Sequence, residues 1–220
     1  MIKIANAPCS WGALEFDLEE QPEEIGFEQV LDEIKSTGYM GTELGDWGFM
    51  PTSPEVLRKE IKKRDLELLG AFVPVDLKDE EEHQTGVSEA LKVARLMYEA
   101  GFKNALIVLA DDNGKDPKRT QNAGRISSDM ELNEKQWRNF ADGVNQIAKE
   151  VDQTFGIKTV FHHHCGGFIE TPKEIDRLKA LSAVGQIGLI NAYQDEFRIH
   201  GLLAAQVLMS HGDFNREVHT

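Results

Sequence analysis

A chain of 220 residues, 40% of them hydrophobic, can bury one sizeable core and is read as a single domain over 1–220. Its 38 acidic and 24 basic residues leave a formal net charge of −14, which argues against a nucleic-acid backbone or an anionic membrane as partner, because both need clustered Lys and Arg. The start Met1-Ile2-Lys3-Ile4 has no signal-peptide pattern, no apolar run is long enough to span a bilayer, and Cys9 and Cys165 lack zinc or disulfide-framework spacing; a cytoplasmic protein is expected.

Ile2 to Ala7 reads as a buried strand, followed by a helix over about 22–37 with Ile25, Val30, Leu31 and Ile34 near one face and Gly38 as its stop. Gly41 to Leu44 is a second strand, and the next helix opens at Ser53-Pro54 with Pro at its first position. Leu66 to Val75 is a third strand. The helix over about 84–100 aligns Val87, Leu91, Ala94 and Met97 and ends at Gly101. After strand four, Ala105 to Ala110, the polar segment Asp111 to Ser128 reads as a long loop. Trp137, Phe140, Val144, Ile147 and Val151 then keep helical spacing. Thr159 to His164 is strand five, Thr171-Pro172-Lys173-Glu174 has capping-box spacing, and Ile187 to Ile190 is a sixth strand.

Strand and helix alternate without hairpin signals, which implies parallel strands joined by crossover helices. The turn after strand one, Pro8-Cys9-Ser10-Trp11-Gly12, carries no GxGxxG or Walker pattern, so a barrel is preferred over an open nucleotide-binding sheet. The fold class is α/β, of the (β/α)8 TIM-barrel type. It is expected to be incomplete, with about six strand–helix units where about eight strands and 250 residues are usual.

In such folds the working residues stand at the C-terminal strand ends. These are Ser10 and Trp11, Glu43 and Asp46, Phe72 and Pro74, Asp111 and Asp112, and the run His162-His163-His164. Strand alternation sends His162 and His164 to one side and His163 to the other. Such a pair can hold a divalent metal or move a proton, or it can be a buried structural pair. Glu43, in the apolar setting Gly41-Thr42-Glu43-Leu44-Gly45, serves as a base, a hydroxyl or metal ligand, or an internal salt-bridge partner. Trp11, Trp47 and Phe72 wall a sugar-sized pocket or belong to the core. Asp111-Asp112-Asn113-Gly114 also reads as turn chemistry, and Lys118, Arg119, Gln121, Asn122 and Arg125 as a lid or simply a solvated loop.

The segments Ala7-Pro8-Cys9-Ser10-Trp11-Gly12, Gly41-Thr42-Glu43-Leu44-Gly45 and His162-His163-His164-Cys165-Gly166 resemble the xylose-isomerase-like barrel superfamily, and within it the inosose (2-keto-myo-inositol) dehydratases and their sugar phosphate isomerase/epimerase relatives, over about residues 2–190. The resemblance implies a metal-dependent lyase or isomerase that enolises a small sugar or polyol ketone. It implies catalytic roles for His162, His164 and Glu43, substrate contacts from Trp11, Ser10, Phe72 and Asp111, and His162 as a ligand of a divalent ion (Mn, Co, Mg or Zn). A homo-oligomer is compatible with it. From about Ile190 the chain departs from the pattern: the family's Asp-Thr-Gly-His on strand six has no match near Ala192, and its His on strand seven and Glu on strand eight have no counterpart. The divergent tail over 191–220 suggests a truncated or altered end. A second reading therefore stands beside the enzyme, a non-catalytic truncated barrel that has lost its metal site. Related barrels that cleave DNA at abasic sites are disfavoured by the charge.

Overall fold

Among the described residues five parallel strands lie side by side in chain order: β1 (Ala5–Asn6), β2 (Gly41–Glu43), β3 (Glu67–Val75), β4 (Leu106–Asp111) and β5 (Thr159–His162). An order with no reversal means that every crossover steps the same way, which is barrel winding and leaves no switch point of the doubly wound kind. The computed structural model describes residues 4–11 and 25–182, all within the unit Met1–Gly185. The expected strand at Ile187 to Ile190 and the 191–220 tail lie outside the described residues. Among the described residues no helix is long and apolar enough to cross a membrane.

The helices are α1 (Phe27–Ser36), α2 (Pro54–Lys63), α3 (His83–Glu99), α4 (Pro117–Gln121), α5 (Glu134–Phe155) and α6 (Pro172–Leu181). Their limits follow from local chemistry. Gly38 and Gly101 adopt φ of 92° and 87° just beyond α1 and α3, a conformation that ends a helix at little cost to glycine. Asn133 with Gln136 and Thr171 with Glu174 form reciprocal capping boxes on α5 and α6. Three expectations change. Strand one is only two residues long, β5 ends at His162 rather than His164, and the segment after β4 contains α4. There the side chain of Asp116 accepts from the Arg119 amide at 3.0 Å and Pro117 occupies the first position, a helix start that a polar, Gly-containing stretch conceals.

Alternation along the strands sorts the core from the site. Val73 and Val75 on β3, Ile107 and Leu109 on β4 and Phe161 on β5 are buried beneath the helices. The Phe161 ring meets Phe140 of α5 edge-on at 5.8 Å, and the Val75 methyls lie against Gly86 of α3. The intervening residues face away from the helices. In register they form a row of Phe72, Val108 and Val160 and, nearer the C-terminal end, a row of Pro74, Ala110 and His162.

Gly86 allows α3 to approach β3 closely, since a Cβ there would stand 2.6 Å from Val75 Cγ1 and 2.9 Å from Cγ2. Gly86→Ala is expected to cost about 1–2 kcal/mol net in urea unfolding, overpacking outweighing the better helix propensity of Ala. An unchanged or raised midpoint contradicts this packing.

Candidate functional site

At the C-terminal end of β5 the rings of His162 and His164 stand edge to face, centroids 4.5 Å apart at 80°. Phe72 from β3 meets His164 at 5.7 Å and 65°. His163 points the other way, is buried, and feels the charge of Lys179 on α6. Burial, reinforced by His164, lowers His162 to about 4; burial followed by the neighbouring His163 lowers His164. Each imidazole is therefore neutral near pH 7, with one nitrogen able to donate and the other to accept. His164 Nδ1 is buried with no hydrogen-bond partner among the described residues, a lone acceptor or donor turned away from bulk water.

Glu43 closes β2 at the same end of the sheet. Its register partner is Gly70, whose Cβ position borders Val108, which places Glu43 on the inner face. Its backbone carbonyl accepts from Thr42 Oγ1 at 3.1 Å, while its carboxyl has no hydrogen bond or ion pair among the described residues, and burial raises that carboxyl above the ordinary range. A half-buried acid of this kind keeps its proton to higher pH than an exposed glutamate.

Two connections stand over this end, the β4–α5 segment and the β5–α6 turn, and polar contacts join them. Arg119 of α4 is 1% exposed and forks onto Glu174 of α6, Nη1 to Oε1 at 2.8 Å and Nη2 to Oε2 at 3.1 Å. Burial would raise the Glu174 carboxyl, but bonds from Arg119 and from the Thr171 and Glu170 amides outweigh it and hold the group below its usual value. The Arg119 guanidinium also lies 5.1 Å from the Phe168 ring centroid. Asp111 pairs in register with Val75, so it shares the helix-facing side; its Oδ2 accepts from the Phe168 amide at 2.8 Å. Burial pushes Asp111 up to about 6, against the Phe168 bond that lowers it.

The structure thus brings His162, His164 and Phe72 together, with Glu43 on the same face and at the same end. It engages the other expected residues elsewhere. Trp11 donates its indole N–H to Glu33 of α1 at 2.5 Å, Ser10 donates to Asn6 Oδ1 at 2.8 Å, and Asp111 holds the β5–α6 turn. Trp47 is exposed under Lys92, whose Nζ lies 4.4 Å from the ring. Reading Arg119 as a lid or solvated residue is corrected, because it is one half of an ion pair buried on both sides. Sequence reasoning found Glu174 as a cap and missed it as the partner of Arg119, since no local signal links residues 55 positions apart.

Among the described residues no three His, Cys, Asp or Glu side chains come together in a way that would hold a metal ion. The donors present, two imidazoles and a carboxylate three strands away, do not by themselves fit a protein-held divalent ion.

Fold and strand ends together define a parallel barrel-type sheet of strands and crossover helices. The solved structures it resembles include 3-keto-D-glucoside 4-epimerase from E. coli (TM-score 0.55, 15% identity, 90% of this chain and 76% of that one). Another is a xylose isomerase-like TIM barrel protein from Mycobacterium smegmatis in complex with magnesium (TM-score 0.55, 12% identity, 83% and 62%). In sequence the chain is similar to inosose dehydratase from Clostridium perfringens, 28% identical over 184 residues, 82% of this chain. The chain spans 58% of that relative's length. No protein-family model matches it.

Asp111 supplies a test by pH. Its folded-state value of about 6 lies above the ordinary 3.8, so its contribution favours folding below pH 3.8 and is lost as pH rises through 6. Asp111→Asn keeps an acceptor for Phe168 and carries no charge. Relative to the parent it is expected to gain about 2–3 kcal/mol in urea unfolding between pH 4 and pH 7. A difference independent of pH contradicts the buried-carboxylate assignment.

Proposed function

We propose that this chain binds an uncharged sugar or polyol ketone on the inner face and removes a proton α to its carbonyl, the first step of a dehydratase or an epimerase. The observation that carries the reading is the pair His162 and His164, neutral and half-buried, edge to face at a strand end beside Phe72. A neutral imidazole is a competent base near pH 7, and a positioned base typically contributes about 10²–10⁴-fold to such a step. Glu43, its carboxyl raised by burial, is suited in its protonated form to donate to the oxygen on which enolate charge develops. Phe72 supplies an apolar surface for a ring face.

The names of the relatives support the reaction class. One acts on an inosose and another on a 3-keto-glucoside, and both are ketones with an acidic α-proton. The charge distribution supports an uncharged substrate over a phosphorylated one. Cations around the strand ends already have partners: Lys78 with Asp76 at 3.0 Å, Lys115 with Asp112 at 2.8 Å, Lys118 with Asp129 at 2.5 Å and Arg119 with Glu174. The described donors do not complete a metal site, so no step is routed through an ion here.

The direct test is proton exchange, which registers abstraction even where elimination does not follow. An inosose or a 3-keto-glucoside is incubated with the protein in D2O and its α-proton signal followed by NMR. Exchange above the buffer rate is expected, falling by about 10²-fold or more in His162→Ala and His164→Ala, and a phosphorylated ketose is expected to exchange more slowly. A parent protein that exchanges none of these ketones overturns the proposal in favour of a non-catalytic barrel. That second reading is favoured by the incomplete donor set among the described residues.

A further inference from the structure

Glu170 sits between β5 and α6, and each of its carboxylate oxygens accepts one backbone amide from a different connection. Gly124, just after α4, donates to Oε1 at 2.6 Å, and Gly166, two residues beyond His164, donates to Oε2 at 2.6 Å. Both glycines have positive φ, 77° and 83°, a backbone shape that costs a side chain heavily. The Glu170 amide is in turn held by Glu174 Oε2 at 3.0 Å, so the clamp is anchored to the buried Arg119–Glu174 pair. Next to it, Gly167 packs so closely on Asn113 Oδ1 that a Cβ there would overlap it. The turn after the histidines and the segment after β4 are thus stitched along one line.

We infer that Glu170 is a positioning residue of the site proposed above: by clamping Gly166 to Gly124 it fixes the turn on which His164 is carried, and with it the edge contact between His164 and Phe72. Charge-assisted bonds to backbone amides are the strong kind, and two of them converging on one carboxylate define both distance and direction. His164 lies just beyond the last residue of β5, so the ladder does not hold it; the turn does. The inference rests on the functional reading only for the meaning of the imidazole pair, not for the clamp itself.

The test uses the full chain and is independent of turnover. In Glu170→Ala, amide hydrogen exchange at Gly166 is expected to accelerate about tenfold or more and at Gly124 severalfold, while Val73 and Leu109 in the central strands keep parent rates. The nuclear Overhauser contact between the Phe72 and His164 rings is expected to be lost. Glu170→Gln, which keeps one acceptor oxygen, should restore the ring contact in part and protect only one of the two amides. Lys173→Ala, which removes an exposed ion pair to Glu131 nearby, should change neither readout. Parent-like exchange at both glycines, or a ring contact that survives Glu170→Ala, overturns the inference. If Glu170→Ala does not fold, Glu170→Gln decides: two fully protected amides overturn it, one exposed amide supports it. Absence of ketone exchange by the parent protein sinks the proposed function and leaves this result standing.

Discussion

The buried ion pair between Arg119 and Glu174 sets the geometry around the histidine end of the sheet. Two charges removed from water carry a desolvation cost of several kcal/mol each, offset only where geometry is good and the remaining hydrogen-bonding capacity is filled. Here the guanidinium forks onto both carboxylate oxygens and also donates to the Met130 carbonyl, while the carboxylate accepts from the amides of Thr171 and Glu170. Within the pair only the Arg119 Nε–H is buried with no hydrogen-bond partner among the described residues, so the pair is less a source of net stability than a lock on one arrangement. Shifting α4 relative to α6 by even one residue would strand a charge in the interior. The Phe168 ring beneath Arg119, the Asp111 bond to the Phe168 amide and the Glu170 clamp all take their places from it.

Beneath this lock, strand alternation divides labour between the two faces of the sheet. The helix side carries valine, isoleucine, leucine and phenylalanine and is closed; the inner side carries a phenylalanine, a glutamate and two imidazoles and remains half-open among the described residues. Half-burial is what makes these polar groups useful. Removing water lowers the imidazoles and raises the glutamate, so that burial favours the neutral form of each on the same face of the sheet. The same physics on the closed side has another result. Asp111, two residues after the buried Leu109, becomes a fastening for the neighbouring turn.

Most of the fold was legible from local signals. Apolar runs and periodicity placed β3, β4, α1, α3 and α5, and start signals at Ser53-Pro54 and Thr171–Glu174 placed α2 and α6, because those choices are made within a few residues of chain. The pairing of His162 with His164 was equally legible, since a period of two is a property of any extended strand. Trp11 shows where such reading stops. An aromatic at a strand end is compatible with a pocket wall or with the core, and only the bond to Glu33, 22 residues away, engages it with α1. Arg119 shows the same limit more sharply, because among neighbouring Lys, Arg and Asn residues it differs from them only in its distant partner.

By itself the sequence determined a parallel, barrel-type succession of strands and helices and the residues delivered to the strand ends. These follow from periodicity, caps and turns, whose energies are local. The tertiary structure alone decided which of those residues share a face, which charges are buried, and how the two connections over the histidines are joined. Those outcomes depend on contacts between residues 46 and 55 positions apart in the chain. Their strength comes from excluding water, and that condition exists only after the sheet and helices have packed.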